Sequence, residues 1–567
     1  MKKWKKIICV VSAALLLICV TSSCANSDPA SPAAGTTTEK SSSSNAKDDD
    51  SAEGSEAIAT DGDTTAELSF EKPTSLTYWC QIDQRITKFI SSMDESPTFL
   101  ALKEELGVDI TFIHPPQDMD QEQFKVLISS NDLPDIIEYQ WFDRYPGGPG
   151  KAISDGVIYD LTPYITEEIT PNFLKVLDKY EADYKLASSI KTLEGQYYVF
   201  PCVRGEGLLL QINNGPIIRQ DWLDELDMDV PETLDDWYEM LTAFKNEMGS
   251  AIPLTFKESF FKDGQDFVGA FGVGHDFYID TNDVIQYGPM QPEYKNFYEL
   301  MSKWYAEGLI EPDFATINDD GVHQNMTSGN SGACIGQNDS TMAVVQAAMA
   351  ESDPNFNLVG APHPKVNADD PDVRIFKRDW FYTISGCAAI STSCDNPAGA
   401  AWVLDYFYGP EGHMLGNFGV EDESYTVESD GTVKFTDHVM NNEDGNSFKE
   451  MVHFYSRGAA SAPLVRDVQV IDAQRSDQRV IDATETWAKV LDRSSIVPRL
   501  SFSEEENTRL SKLYIDIETY QKENFQKFIM GRTPVSEFEK TVEELEKMNI
   551  AEVLEIYNTA YERYKAL

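Results

Sequence analysis

SPTFLALKEELGVDITFI, residues 96–113, decides the fold class. Ser96-Pro97 is a helix cap followed by a proline in the first turn, where its missing N–H costs nothing, and Gly107 is a stop. Between them Thr98–Leu106 reads as a helix, and Val108–Ile113 as a strand. Working outward, Leu76–Cys80 is a strand ahead of this pair. Gln121–Ser130 is a helix and Asp135–Tyr139 a strand behind it. The run is β-α-β-α-β, which predicts a parallel sheet covered on both faces. Ligands of such sheets sit at the carboxyl ends of the strands, and the segment after Tyr139 is one such end.

The alternation continues. Gly195–Phe200 and Leu208–Asn213 are strand-like, and Asn213-Asn-Gly-Pro216 reads as a turn. Thr233-Leu-Asp-Asp236 resembles a capping box, and Leu234, Trp237, Leu241 and Phe244 recur behind it at helical spacing. Residues 292–307 form a second amphipathic helix, with Phe297, Leu300, Met301 and Trp304. Thr383–Ile390 is a strand followed by a helix at Pro397–Tyr408. From Ser503 onward the chain is nearly all helical, with one break at Gly531-Arg-Thr-Pro534. Trp222 and Trp237 lie on apolar helix faces and are read as core.

Composition narrows the function. The chain has 567 residues, too many for one hydrophobic core, so two or more domains are expected. Net charge is −49, of which about −46 belongs to the part after residue 66. A chain this acidic is a poor nucleic-acid binder and is repelled by anionic lipid. The seven histidines give no HExxH spacing. No GxSxG or GxxxxGK[ST] motif occurs, so zinc-hydrolase, serine-hydrolase and P-loop chemistry find no support. No metal or cofactor is expected. Cys80, Cys202, Cys334, Cys387 and Cys394 are odd in number and sparse, and read as buried thiols. Only Cys387 and Cys394 are candidates to pair.

The N-terminus says where the chain resides. Lys2, Lys3, Lys5 and Lys6 precede an apolar run, Ile7–Val20, shorter than a membrane span. Thr21-Ser-Ser-Cys24 follows. The layout resembles a bacterial lipoprotein signal, residues 1–24, in which the Cys24 thiol is acylated, although Thr21 stands where such signals usually carry leucine. Residues 25–69 form an acidic, Ser-rich tether. It holds too little apolar surface to offset its ordering entropy, so it is expected to be disordered.

Several segments, in order along the chain, carry a family resemblance. Asn131-Asp-Leu-Pro-Asp-Ile-Ile137 is similar to one motif of that family, and Leu193-Glu-Gly-Gln-Tyr-Tyr-Val-Phe-Pro201 to another. Arg219-Gln-Asp-Trp-Leu-Asp-Glu-Leu226, Val230-Pro-Glu-Thr-Leu-Asp-Asp-Trp237 and Leu241-Thr-Ala-Phe244 form the longest match. Trp304-Tyr-Ala-Glu-Gly-Leu-Ile-Glu-Pro312 and Phe418-Gly-Val-Glu421 with Ser424-Tyr-Thr-Val427 follow. Together they resemble the extracellular solute-binding proteins of ABC importers, in the large lipoprotein branch that handles carbohydrates in Gram-positive bacteria.

The resemblance implies a two-lobed α/β fold of the type II periplasmic-binding-protein kind, with an interlobe cleft and a hinge. By analogy residues 70–207 and 386–480 form the first lobe, and 208–385 with 481–567 the second. Crossings fall near Gly205–Leu210 and Tyr382–Gly386. It implies a monomer, lipid-anchored on the outer face of the cytoplasmic membrane. There it captures a sugar, most simply an oligosaccharide, and passes it to permease subunits. Many members of the branch carry a calcium loop. The corresponding Phe244–Pro253 segment lacks alternating carboxylates, so no calcium is expected there. Two other readings stay open: an extracellular glycoside hydrolase or lyase, and a surface protein that holds polysaccharide without transport.

A sugar cleft needs flat aromatic faces and planar polar groups. Tyr139, Trp141, Asp143 and Arg144, at a strand's carboxyl end, are the first candidates, with Trp141 to stack on a ring and Asp143 and Arg144 to take hydroxyls. Asp379 and Trp380 lie ahead of the return crossing, and Arg204 and Glu206 lie at the first. Tyr425 completes the set.

Overall fold

A computed structural model describes residues 70–130, 132–206, 212–371, 373–374, 382–457, 462–474 and 477–566. The signal with Cys24, the tether, Asp379 and Trp380 lie outside the described residues. Leu68–Leu567 forms one compact unit.

The strands in chain order are β1 Ser75–Trp79, β2 Asp109–Ile113, β3 Ile136–Tyr139, β4 Phe200–Val203, β5 Asn214–Arg219, β6 Leu254–Phe256, β7 Phe277–Ile279, β8 Ile285–Tyr287, β9 Ala333–Gln337, β10 Leu358–Gly360, β11 Tyr382–Ile390, β12 Tyr425–Val427 and β13 Val433–Phe435. Two sheets organise the fold, ordered β2-β1-β3-β11-β4 and β10-β5-β9-β6. In the first, β1 pairs parallel with β2 and β3. The helix that links β1 to β2, Pro97–Leu106, is capped by the Ser96 hydroxyl, which accepts from Phe99 N–H, and stopped by Gly107 at φ 65°.

The β1, β2 and β3 run is parallel as expected, and β11 joins it with the opposite direction. That strand runs antiparallel to both β3 and β4. It is paired with β4 from Tyr382 onward. A correction concerns Asn213-Asn-Gly-Pro216. Asn214 to Pro216 open β5, an inner strand of the second sheet. Pro216 has no N–H to give, but its carbonyl is held in the sheet by Ala361 N–H and by Trp487 Nε1–H. Gly215 is required because a Cβ would stand 2.6 Å from the Trp487 indole. The Gly195–Phe200 strand is likewise displaced: β4 begins at Phe200.

Each sheet has its own core. Tyr78, Trp79, Phe99, Phe124, Trp141, Phe173 and Phe200 pack around the first. Ile218, Trp222, Trp237, Phe244, Phe256, Phe297 and Trp304 pack around the second, and Phe525 and Phe528 of the C-terminal helix Glu504–Ile529 join them. Late in the chain, Val470 packs with Phe418 and Tyr425 beside the first sheet. Val480, Ala483 and Trp487 of the helix Gln478–Ala488 pack on Ile217 of the second. The five cysteines named above are free and buried.

Candidate functional site

A cleft of about 1170 Å³ opens between the two sheets. One wall is the short helix Trp141–Arg144 and the loop to Gly148, which leave β3 at its carboxyl end. The facing wall comes from the helix Glu258–Asp263, from Gln265, from His275–Phe277 and from Phe314–Ile317. Ile496–Leu500, Phe502 and one side of the helix Glu504–Ile529 close the third side, with Tyr557 and Tyr564.

Aromatic rings and paired polar groups alternate around this space. Phe142 is half-buried, with the Arg499 guanidinium 4.9 Å from its ring centre. Phe277 stacks on Tyr557 at 4.1 Å, and Tyr514 lies beside it at 5.4 Å. The Tyr514 hydroxyl donates to Asp276 at 3.0 Å; burial, reinforced by that carboxylate, pushes its pKa well above the ordinary phenol value. The Tyr145 hydroxyl donates to Asp155 at 2.9 Å, and burial pushes it up to about 12. Lys257 pairs with Asp319 at 2.7 Å, and Glu258 accepts from Gln526 at 2.8 Å. Among the described residues the lining carries five basic and five acidic side chains, a balance that stands out in a strongly acidic body. Such a surface supplies stacking faces and hydroxyl-scale donors and acceptors. Among the described residues no cluster of three or more His, Cys, Asp or Glu side chains is poised to hold a metal.

Of the sequence candidates, Asp143 and Arg144 line this cleft, both exposed; Arg144 Nε donates to Gln140 Oε1 at 3.3 Å. Trp141 is corrected. It is fully buried, its indole N–H donates to Ile137 O at 3.0 Å, and it packs edge-on against Phe124, so it has no face to offer a ligand. Tyr139 is also core: its hydroxyl donates to Asp120 and its ring meets Trp79 edge-on. Tyr425 is buried against Phe418 and Phe435. Arg204 is half-buried just after β4, and Glu206 is exposed and pairs with Lys179 at 3.2 Å; neither lines the cleft. The sequence reading missed Phe142, Gln265, Phe277, Arg499 and Tyr514. Only Phe142, beside the chosen Asp143, lay within a segment it had singled out.

Comparison with known proteins places this geometry. The family model for bacterial extracellular solute-binding proteins matches residues 91–414. Lipoprotein LipO of Bacillus subtilis is 23% identical over 493 residues, 84% of this chain and 90% of that protein. The polygalacturonan/rhamnogalacturonan-binding protein YtcQ of Bacillus subtilis is 23% identical over 488 residues, 81% of this chain and 86% of that one. The FusA substrate-binding protein of Streptococcus pneumoniae, solved in complex with kestose, superposes with a TM-score of 0.68 at 19% identity, covering 87% of this chain and 99% of that one.

Proposed function

We propose that this chain, which belongs to the bacterial extracellular solute-binding protein family, is the capture subunit of an ABC importer and takes an uncharged oligosaccharide in its interlobe cleft. The observation that carries the reading is the cleft itself. It has room for several sugar rings, is lined by Phe142, Phe277 and Tyr557, and among the described residues balances its charges although the body around it is acidic. A polyuronate such as the one named for YtcQ would find no net positive field here; the neutral kestose bound by FusA is the better guide.

On this reading the lobes divide as 70–207 with 386–480 and 208–385 with 481–567. Ligand touching both favours the closed form, and permease subunits recognise that form. No covalent step is involved. Cys24 carries the lipid that holds a monomer at the outer face of the cytoplasmic membrane, with the acidic segment as its leash. Asp143 and Arg144 take ligand hydroxyls, and Asp379 and Trp380 are further ligand contacts.

Isothermal titration of the secreted chain with kestose, raffinose, maltotriose, cellotriose and trigalacturonate tests the reading. Micromolar or tighter binding of a neutral member is expected. Binding of trigalacturonate alone would overturn the uncharged ligand, and release of monosaccharide during incubation would turn the reading toward a hydrolase. For the anchor, Cys24→Ser should move the protein from the membrane fraction to the medium and abolish labelling by an alkyne fatty acid; a variant that stays in the membrane fraction would refute it.

A further inference from the structure

Gln265 combines two properties that no packing role requires, and its neighbour Phe267 adds a third. It lines the cleft. Its backbone lies at φ 56°, the left-handed region that side chains other than glycine and asparagine seldom adopt. Two residues on, Phe267 stands at φ 62°, ψ −34°, and Val268 N–H donates to Asp266 O at 2.8 Å, closing a three-residue γ-turn of the rarer, strained hand. Strain of this kind persists only where the surroundings over-determine it, and it concentrates at ligand-holding sites.

The surroundings here are specific. Asp266 is fully buried, and its Oδ1 lies 3.2 Å from Nδ1 of His363, which follows β10. A Cβ on Gly264 would run into the Asp266 carboxylate, so the chain before Gln265 is pinned as well. Phe267 is wedged edge-on between Trp237 at 5.1 Å and Trp304 at 5.3 Å. Gln265 therefore sits in a rigid frame. Its side chain is fixed too: Oε1 accepts from the His275 backbone N–H at 2.6 Å. A backbone N–H can only donate, so the amide oxygen must face it, and the NH2 end is left for the cleft.

We infer that Gln265 is a specificity-determining contact of the cleft, its amide N–H donating to an acceptor oxygen of the bound sugar while the His275 backbone N–H holds its amide oxygen. This rests on the sugar-binding reading above. Gln265→Glu separates the roles. The carboxylate keeps an acceptor for His275 N–H and keeps the length, but has no N–H to give. The full secreted chain and the Q265E variant are titrated with the tightest-binding member of the panel above, and both are melted by scanning calorimetry. Binding weakened about tenfold, with the melting temperature held, is expected. A loss smaller than fivefold in a variant that folds overturns the proposal while leaving the sugar-binding reading intact. A parent chain that binds no panel member overturns both. Should Q265E melt more than 5 °C early, Gln265→Met is judged by the same fivefold line, and the deoxy analogues of the ligand are titrated against the parent chain: one of them must lose a comparable factor.

Discussion

Replacing Trp141 by Ala should cost stability and leave ligand affinity alone, whereas the same change at Phe142 should do the reverse. Trp141 is fully buried among Phe124, Tyr145 and the Ile137 carbonyl. Truncating a buried Trp removes its packing and leaves a cavity, at about 3–5 kcal/mol. Unfolding entropy near 60 °C is about 1 kcal/mol per degree for a chain of roughly 500 residues. The melting temperature should therefore fall about 4 °C if the body melts as one, and about twice that if the first lobe melts alone. Phe142 is half-buried with one face on the cleft, so F142A should lower melting by less than half as much. Its lost ligand contact, of order 1–2 kcal/mol, should weaken binding about tenfold. Scanning calorimetry and isothermal titration on the two variants check both halves. A W141A protein that melts with the parent but binds several-fold more weakly would refute the reasoning, because it would mean the indole reaches the ligand.

Three further outcomes are expected. Gly215→Ala should destabilise by about 1–3 kcal/mol through overpacking against Trp487, and adding Trp487→Phe should recover part of it; denaturant melts read both. Glu138→Gln should cost about 3–5 kcal/mol, since it leaves Arg457 buried without its carboxylate at 2.6 Å, and a change under 1 kcal/mol would speak against the pair. Two buried groups should tilt stability with pH in opposite directions. Burial pushes the Asp405 carboxyl up to about 6, so its folded form takes the proton first and stability rises as pH falls from 7 through 6. Burial, with Arg85 nearby, pushes His453 down to about 4, so its contribution is whole above about 6.5 and is lost as pH falls toward 4. Between pH 7 and 4.5 each is worth about 2 kcal/mol. Relative to the parent, D405N should therefore lose stability across that window and H453F should gain it; parallel curves would sink the assignment.

The first sheet was legible because its signals are local. Ser96, Pro97 and Gly107 cap a helix whose limits the structure shifts by one residue. The Asn-Gly-Pro of β5 carried a turn signal equally local, and it misled, because what makes it a strand is Trp487, far along the chain, filling the space above Gly215. The parallel pairing of β1, β2 and β3 was as expected; what their local signals could not foretell is the antiparallel β11, which arrives from late in the chain to sit between β3 and β4. At the candidate site, Asp143 and Arg144 after β3, singled out by sequence, line the cleft. Within that short helix, successive residues turn by about 100°. Trp141 faces inward and Phe142 faces the cleft, a difference that residue type alone does not reveal. Gln265, Phe277, Arg499 and Tyr514 come from four separate segments with no shared pattern, so only the fold could bring them together.

The third wall of the cleft bears on how a ligand could act. The C-terminal helices bury Phe525 and Phe528 in the second core. The described residues of this wall meet the segments 142–191 through cation–π contacts, Arg499 on Phe142, Arg493 on Tyr184 and Lys185 on Tyr564, and through hydrogen bonds. Asn507 Nδ2 donates to Gly147 O at 3.4 Å, Lys185 Nζ donates to Tyr564 O at 3.1 Å, and Ser501 Oγ donates to Lys191 O at 3.3 Å. Such hydrogen bonds are worth about 0.5–1.5 kcal/mol each, and these are long or partly exposed. A ligand can shift an equilibrium only by its differential affinity for the two states. Here the hydrogen bonds across the cleft amount to a few kcal/mol, comparable with what a stacked ring on Phe142 and a donor from Gln265 would contribute together under the proposed function. Loosening the links with Asn507→Ala and Lys185→Met should therefore raise affinity for ligand if they oppose closure, and lower it if they persist in the closed form. Titration of that double variant gives the sign, and an unchanged affinity would show that the links break even between the two states.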